Sequence, residues 1–520
     1  MRFPALFSLF AILVSVHVLP AADRVRVSGG LLEGTAGSKP GIRAFLGIPY
    51  AAPPVRARRW RAPEPAAKWT GVRAADKFGN RCMQTSPFPD MVFQSPAESE
   101  DCLYLNVWTP AKSRAERLPV LVWIHGGGYF SGASDEPRHD GSALASKGVV
   151  LVTLNYRLGA LGFLAHPELT KESPHHASGN YALLDQIAAL RWVHQNIAAF
   201  GGNPGNVTIF GESAGSFAVS AMMATPLTRG LFQKAIGESG AHFTAKGGSL
   251  PALPLAEAEK MGVELGASLG ATTLAEMRAL PADAFAKAIA STPTKFSPIV
   301  DGYVLPADPW DIYAQGKQAH VPLLAGWNSA EMKGIPPETA TAAGLAASLK
   351  KQFPDDLQAA EKAYPAGNAK EARLSAVALA SDNFIAYSTW KWIEMQTATG
   401  QATVYRYLFD HIVPTATGEP AADDPGAAHA TDIEFVFSTL DTRKLAWRPS
   451  DRKVSDILVS YWTNFAKHGN PNGPGLTPWP PYDEKSRELM VLDEHPKVAK
   501  ETHRDRYELQ DRATARIRGR

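Results

Sequence analysis

The sequence is short of net charge and of internal repetition. Its 53 Lys and Arg residues and 51 Asp and Glu residues nearly cancel, which leaves a formal charge of +2. A surface that binds phosphate backbones usually has a strong basic excess, so nucleic acid is excluded as the main partner. At 520 residues the chain can bury one large α/β core or several smaller ones.

Long apolar runs are missing after residue 22, and no later stretch is apolar enough to span a bilayer. At the N-terminus, Arg2 precedes an uncharged segment, residues 3–22, that ends in the small residues Ala21 and Ala22. This pattern predicts a secretory signal peptide, residues 1–22, and a secreted or periplasmic mature protein. An uncleaved membrane anchor is the alternative, because about 20 residues can just cross a bilayer.

Cysteine is scarce, since the chain contains only Cys82 and Cys102. An even pair in an exported chain favours one disulfide. Closing this loop would contribute roughly 3 kcal/mol in the chain-entropy model. Two buried free thiols are the alternative.

A nucleophile elbow is the clearest motif in the chain. Four β-prone residues, 207–210, lead into Gly211-Glu212-Ser213-Ala214-Gly215, and a helix-compatible segment, 216–224, follows. A sharp turn between a strand and a helix holds a serine hydroxyl in the open, where a base can activate it. A surface turn that matches by chance is the alternative.

A glycine-rich loop follows the apolar strand predicted at residues 118–124. The sequence there is His125-Gly126-Gly127-Gly128-Tyr129, which offers backbone N–H groups without side chains, as an oxyanion hole requires. A phosphate-binding loop is not expected, because no Gly-Lys-Ser/Thr pattern follows. We interpret His125 as a residue that positions this loop and not as the base.

Alternating strands and helices predict a mainly parallel sheet with crossover connections. Strands are expected at residues 103–108, 118–124, 149–155, 207–210, 234–237, 321–327 and 402–409, and a core-facing helix at 180–199. Helical insertions are expected at about 250–400. We expect one large domain, residues 23–510, and a frayed basic tail, residues 511–520.

A serine nucleophile needs a histidine base and a carboxylate that orients the base. Ser213, Glu331 and His429 occur in the chain order typical of doubly wound hydrolases. The residues alone leave alternatives open: Asp301 and Asp410 for the acid, and His411 and His468 for the base. Glu331 is favoured because it follows a predicted core strand. We interpret Ser239, near another strand end, as structural.

The chain resembles the type-B carboxylesterases, relatives of the cholinesterases, from about residue 25 to residue 480. The resemblance depends on residues 100–106 (Glu-Asp-Cys-Leu-Tyr-Leu-Asn), 125–128, 155–157 (Asn-Tyr-Arg), 211–215 and 429–437 (His-Ala-Thr-Asp-Ile-Glu-Phe-Val-Phe). It implies an α/β-hydrolase fold, with a mainly parallel central sheet, helices on both faces and helical insertions near the active site.

The resemblance also implies roles for individual residues. Ser213 would be the nucleophile, Glu331 the acid and His429 the base. The oxyanion N–H groups would come from Gly127, Gly128 and Ala214, and Cys82 and Cys102 would form the family's first disulfide. No metal and no cofactor are implied. One departure is Ser-Ala-Glu-Met at residues 329–332, where the family usually has Asp-Glu-Gly.

These features predict an enzyme that hydrolyses small-molecule carboxylic esters through an acyl-enzyme intermediate. The loop between the cysteines has no tryptophan to stack on a quaternary ammonium, so a cholinesterase is not expected. The triple glycine leaves room for esters of bulky tertiary alcohols. An amide, carbamate or lactone is an alternative substrate. A non-catalytic binding protein is disfavoured, because such relatives lack the serine or its partners.

Overall fold

The computed structural model describes residues 24–85, 88–244, 249–290 and 296–518. The predicted signal peptide therefore lies outside the described residues. Within those ranges, no helix has the length and hydropathy needed to cross a membrane.

The strands are β1 (Arg24–Val27), β2 (Gly30–Glu33), β3 (Thr35–Ala36), β4 (Arg43–Pro49), β5 (Val72–Ala74), β6 (Arg81–Cys82), β7 (Glu98–Ser99), β8 (Tyr104–Thr109), β9 (Leu118–Ile124), β10 (Val150–Leu154), β11 (Gly202–Glu212), β12 (Lys234–Glu238), β13 (Leu253–Pro254), β14 (Ile299–Val300), β15 (Leu323–Asn328), β16 (Val404–Phe409), β17 (Glu488–Leu492) and β18 (Lys497–Lys500).

The α-helices are α1 (Ser142–Ser146), α2 (Gly159–Phe163), α3 (Pro167–Glu172), α4 (Tyr181–Asn196), α5 (Ala214–Ala224), α6 (Leu255–Ser268), α7 (Leu274–Ala279), α8 (Ala282–Ile289), α9 (Pro309–Ala314), α10 (Ala342–Gln352), α11 (Leu357–Ala363), α12 (Ala369–Ser381), α13 (Tyr387–Thr399), α14 (Asp432–Phe437), α15 (Pro449–His468) and α16 (Arg504–Ile517). A π-helical turn, Asp382–Ala386, joins α12 to α13.

An 11-stranded sheet organises these elements, in the order β18-β17-β16-β15-β12-β11-β9-β10-β8-β4-β3. The strands from β17 to β10 pair in parallel, and the pairs at the two edges are antiparallel. The carboxyl ends of the parallel strands therefore meet at one edge, which is where ligands bind in open α/β sheets.

The central strands are buried on both faces, as their continuous apolar runs predict. On β9, Val120 and Val122 pack into the core cluster on one face, together with α4 and α5. Leu121 and Trp123, which alternate with them, pack into the second cluster with α14 and α15. Helices thus cover both faces, which confirms the predicted α/β-hydrolase architecture.

The predicted frayed tail at residues 511–520 is wrong for its described part. Helix α16 continues to Ile517 and buries Tyr507, Leu509 and Thr514. Its basic residues pair with distant aspartates, for example Arg516 with Asp356 at 2.7 Å. Such partners cannot be recognised from a basic run alone.

Candidate active site

Ser213 lies at the turn between β11 and α5, with φ 56° and ψ −125°. Few non-glycine residues adopt such a conformation, and it aims the hydroxyl away from the strand. The flanking glycines are explained by contact with the end of β9. A Cβ at Gly215 would lie 2.0 Å from the carbonyl oxygen of Ile124, and one at Gly211 would lie 2.6 Å from it.

The G-x-S-x-G pattern does not by itself identify this serine, because residues 266–270 also match it. There the serine, Ser268, ends α6, and its hydroxyl donates to the carbonyl of Leu265 at 2.7 Å. Ser268 thus stands at the C-terminal end of a helix and not at a turn that leads from a strand into a helix.

His429 and Glu331 lie in line with Ser213. The distance from Nε2 of His429 to Oγ of Ser213 is 3.0 Å, and from Nδ1 to Oε2 of Glu331 it is 2.6 Å. The backbone N–H of His429 also donates to the carbonyl of Glu331 at 3.3 Å. The structure therefore brings together three residues that are far apart in the chain.

The second carboxylate oxygen of Glu331 is held by two donors. The Ser239 hydroxyl donates to Oε1 at 2.6 Å, and the backbone N–H of Asn328 donates at 2.7 Å. This contact is compatible with the interpretation of Ser239 as structural, but the sequence alone does not predict that Glu331 is its partner. The signal was its place just after β12, the parallel neighbour of the strand that precedes Glu331.

The alternative acids and bases lie in other environments. Asp301 accepts the N–H groups of two residues in its own loop, at 3.1 and 2.9 Å. Asp410 is exposed after β16, and His468 is exposed at the end of α15. Nε2 of His411 lies 2.6 Å from a carboxylate oxygen of Asp451. None of these four contacts Ser213.

The glycine loop after β9 reaches the elbow. A Cβ at Gly126 would lie 3.1 Å from Cβ of Ser213, and both Gly127 (φ 98°) and Gly128 (φ 62°) adopt left-handed conformations. Within the described part of the chain, the N–H groups of Gly127, Gly128 and Ala214 donate to no other group. They can therefore donate to an oxygen of a bound ligand.

His125 is buried beside this loop, with its ring stacked on Tyr156 at a centroid distance of 4.4 Å. Its Nδ1 lies 2.9 Å from the carbonyl oxygen of Gly126. Burial lowers the pKa of His125 to about 4, so the ring is neutral at physiological pH. These contacts suit a residue that positions the loop.

The carboxylate of Glu212 is a second acidic neighbour of the imidazole. Burial raises the pKa of Glu212 to about 8. Burial of the imidazole lowers the pKa of His429, but the carboxylates of Glu212 and Glu331 more than offset this and raise it to about 9. Below pH 8 Glu212 holds a proton, so its own effect on the His429 pKa is then weaker.

A cavity of about 1080 Å³ opens onto these groups. Ser213, His429, Gly127 and Gly128 line it, so the candidate nucleophile, base and donors face a common space. This volume is at the upper end for small-molecule sites. Among the described residues, no group of three or more His, Cys, Asp or Glu is arranged to hold a metal ion.

One wall of the cavity comes from the loop closed by the disulfide between Cys82 and Cys102. Phe88, Asp90 and Met91 of this loop line the cavity. The loop docks on the segment after the glycines, because the backbone N–H of Gln94 donates to a carboxylate oxygen of Asp135 at 2.7 Å.

Known proteins resemble this chain over most of its length. A model described as "Carboxylesterase family" matches residues 21–510. Fumonisin B1 esterase of Sphingopyxis macrogoltabida is 37% identical over 482 residues, covering 89% of this chain and 85% of the relative. Para-nitrobenzyl esterase of Bacillus subtilis (strain 168) is 36% identical over 483 residues, covering 89% and 93%. A solved PNB esterase structure has a TM-score of 0.81 at 33% identity and covers 94% of this chain and 99% of its own.

Proposed function

We propose that Ser213, His429 and Glu331 form the catalytic triad of this chain, which belongs to the carboxylesterase family and is a carboxylic ester hydrolase. The observation that carries the proposal is the hydrogen-bonded line from Oγ of Ser213 through His429 to Glu331. This line faces the large cavity.

In the acylation step, Oγ of Ser213 attacks the ester carbonyl carbon while Nε2 of His429 takes the hydroxyl proton. The carbonyl π electrons move to oxygen, and the N–H groups of Gly127, Gly128 and Ala214 stabilise the resulting charge. The C–O bond to the alcohol then breaks, and the alcohol leaves with the proton from His429.

In the deacylation step, water gives a proton to His429 and attacks the acyl carbon. The bond to Ser213 breaks, the serine oxygen recovers the proton, and the carboxylic acid leaves. Glu331 accepts the Nδ1–H of His429 and stabilises the imidazolium in both steps.

The substrate class is tested with purified mature protein and p-nitrophenyl esters of graded acyl length, with Ser213→Ala as the blank. We expect hydrolysis that is lost in Ser213→Ala. The panel also includes fumonisin B1 and p-nitrobenzyl esters, because two relatives are named for hydrolysing them. Matched ester and amide pairs then separate an esterase from an amidase, and faster turnover of the amide would contradict the proposal.

We also propose that the protein is exported. The disulfide between Cys82 and Cys102 is consistent with an oxidising compartment. The basic residue and the apolar segment within residues 1–22 also support export, because they are typical of a secretory signal peptide.

A further inference from the structure

One face of the C-terminal helix α16 lines the catalytic cavity. The residues on this face are Gln510, Ala513, Thr514 and Ile517. Their spacing of three and four residues places them along one side of a helix. At a rise of 1.5 Å per residue, this face is about 10 Å long.

The helix is held in place along this length. Asp511 accepts the Tyr387 hydroxyl at 2.9 Å and pairs with Lys391. Leu509 is buried in the cluster formed by α10, α11 and α12. Arg518, just beyond the helix, pairs with Asp308 at 3.0 Å. The lining face is therefore a fixed wall and not a loose end.

The π-helical turn Asp382–Ala386 connects this wall to the proposed base. The ring of Phe384 meets the His429 ring edge to face, with centroids 4.9 Å apart. The next residue back, Asn383, accepts a hydrogen bond from the Gln510 amide at 2.7 Å. A continuous surface thus runs from His429 through the π-helical turn to α16.

Two apolar side chains that line the cavity are partly open to solvent. Ile517 is 61% exposed and Met332 is 37% exposed, and both line the cavity. Covering such side chains with an apolar ligand group is favourable, because it removes apolar surface from water. Contacts lead from His429 through Phe384 and Asn383 to Gln510, and Ile517 lies about 10 Å further along the helix, so we expect only a long ester held at Ser213 to reach Ile517.

We propose that α16 is a specificity wall for the long apolar chain of an ester substrate, with Ile517 as the contact at its outer end. This inference rests on the proposed esterase function and deepens it, since it assigns the substrate class. The preferred substrates are esters whose acid or alcohol part is a long alkyl chain. Small esters such as acetates react without touching α16.

The test compares Ile517→Gln with wild type on p-nitrophenyl acetate and decanoate, and on ethyl and decyl acetate. Glutamine keeps the helix propensity and similar length but makes the end of the wall polar. We expect kcat/KM for one of the two long esters to fall about fivefold, through a rise in KM. This loss is smaller than the loss from removing a methylene contact in a closed pocket, because Ile517 is partly exposed. Both short esters should be unchanged.

Two variants serve as controls. Val263→Gln makes the same kind of change at an exposed aliphatic residue of α6 that does not line the cavity, and it should leave all four rates unchanged. Ile517→Leu should behave as wild type, because it keeps an apolar end. A thermal melt of each variant checks that it is folded.

The outcomes separate this inference from the proposed function. Unchanged ratios of long to short esters in folded Ile517→Gln would overturn the specificity wall while leaving the esterase assignment intact. A wild type that hydrolyses the short esters but neither long one would do the same. A wild type inactive on all four esters would instead count against the proposed function.

Discussion

The carboxylate of Glu212 lies 3.3 Å from Nε2 of His429, the same nitrogen that contacts Ser213. Glu212 is buried, and its Oε1 accepts no hydrogen bond from another described residue. An acid so placed affects the base through charge alone, because a nearby carboxylate favours the protonated imidazole.

Replacing Glu212 with Gln should therefore shift the pH profile. Above about pH 8 Glu212 is ionised, so loss of its negative charge lowers the pKa of His429, which the carboxylates of Glu212 and Glu331 otherwise raise to about 9. A general base must be neutral to act, so the acid limb of kcat/KM should move to lower pH. The test is to measure kcat/KM against pH for wild type, for Glu212→Gln and for the exposed control Glu361→Gln. A limb that stays in place or moves upward would show that Glu212 does not raise the His429 pKa.

Substitutions in the proposed triad should remove catalysis and spare the fold. Ser213→Ala and His429→Ala should each lower kcat by several orders of magnitude, and Glu331→Gln by at least about a hundredfold. Asp301→Asn is the matched control, since an amide oxygen can still accept the loop N–H groups that Asp301 holds. If Asp301→Asn lost its esterase activity and Glu331→Gln kept it, the acid would be misassigned.

Gly127→Ala should impair the turnover of all esters. Gly127 has φ 98°, and a Cβ there would lie 2.2 Å from the carbonyl oxygen of Ser131, so the loop proposed to form the oxyanion hole must shift. We expect wild type to hydrolyse tert-butyl acetate more slowly than n-butyl acetate, and the variant to lose both. Gly71→Ala, with φ 73° and open space around it, is the control for backbone strain. Full activity in Gly127→Ala would exclude this loop from the oxyanion site.

Removing the disulfide should destabilise the protein. The bonded cysteines are 20 residues apart, and closing such a loop contributes roughly 3 kcal/mol to the free energy of unfolding. The double variant Cys82→Ala, Cys102→Ala should unfold at a lower denaturant concentration than wild type. Its KM should also rise, because Phe88 and Met91 on this loop line the cavity. An unchanged midpoint would show that the bond does not stabilise the fold.

The N-terminus of exported protein should lie near residue 23. The intact mass of protein purified from the exporting host shows directly at which residue the mature chain begins. Alkylation without reductant, in the same sample, counts free thiols and should find none. A mass that includes residues 1–22 would contradict cleavage and favour the membrane anchor.

Much of the sheet can be predicted from the sequence, because buried parallel strands are continuous apolar runs. The run at 118–124 coincides with β9 (Leu118–Ile124), and the run at 149–155 contains β10 (Val150–Leu154). The elbow strand was predicted too short, since β11 starts at Gly202. Of the residues before the predicted run, only Gly202 pairs with β9, and the ladder resumes after a register shift at Val207, where the apolar run begins.

The sequence predicts those residues of the candidate site that belong to a local motif. It does not predict those that depend on packing between distant segments. Ser213 and the glycine loop have local signatures. The bond from Ser239 to Glu331 depends on two adjacent strand ends, which a linear reading does not place side by side. The π-helical turn at residues 382–386 has no glycine or proline to mark it, and the wall formed by α16 depends on ion pairs with residues far back in the chain.

The parallel pairing of β11, β12, β15 and β16 has a consequence for how activity is acquired during folding. Ser213 follows β11, Glu331 follows β15 and His429 comes after β16, so these strands must pair across long sequence separations before the three side chains meet. Such non-local pairing is slow compared with helix formation. In refolding, helical circular dichroism should therefore recover before esterase turnover. Labelling of Ser213, the proposed nucleophile, by a fluorophosphonate should count only molecules whose central sheet is complete.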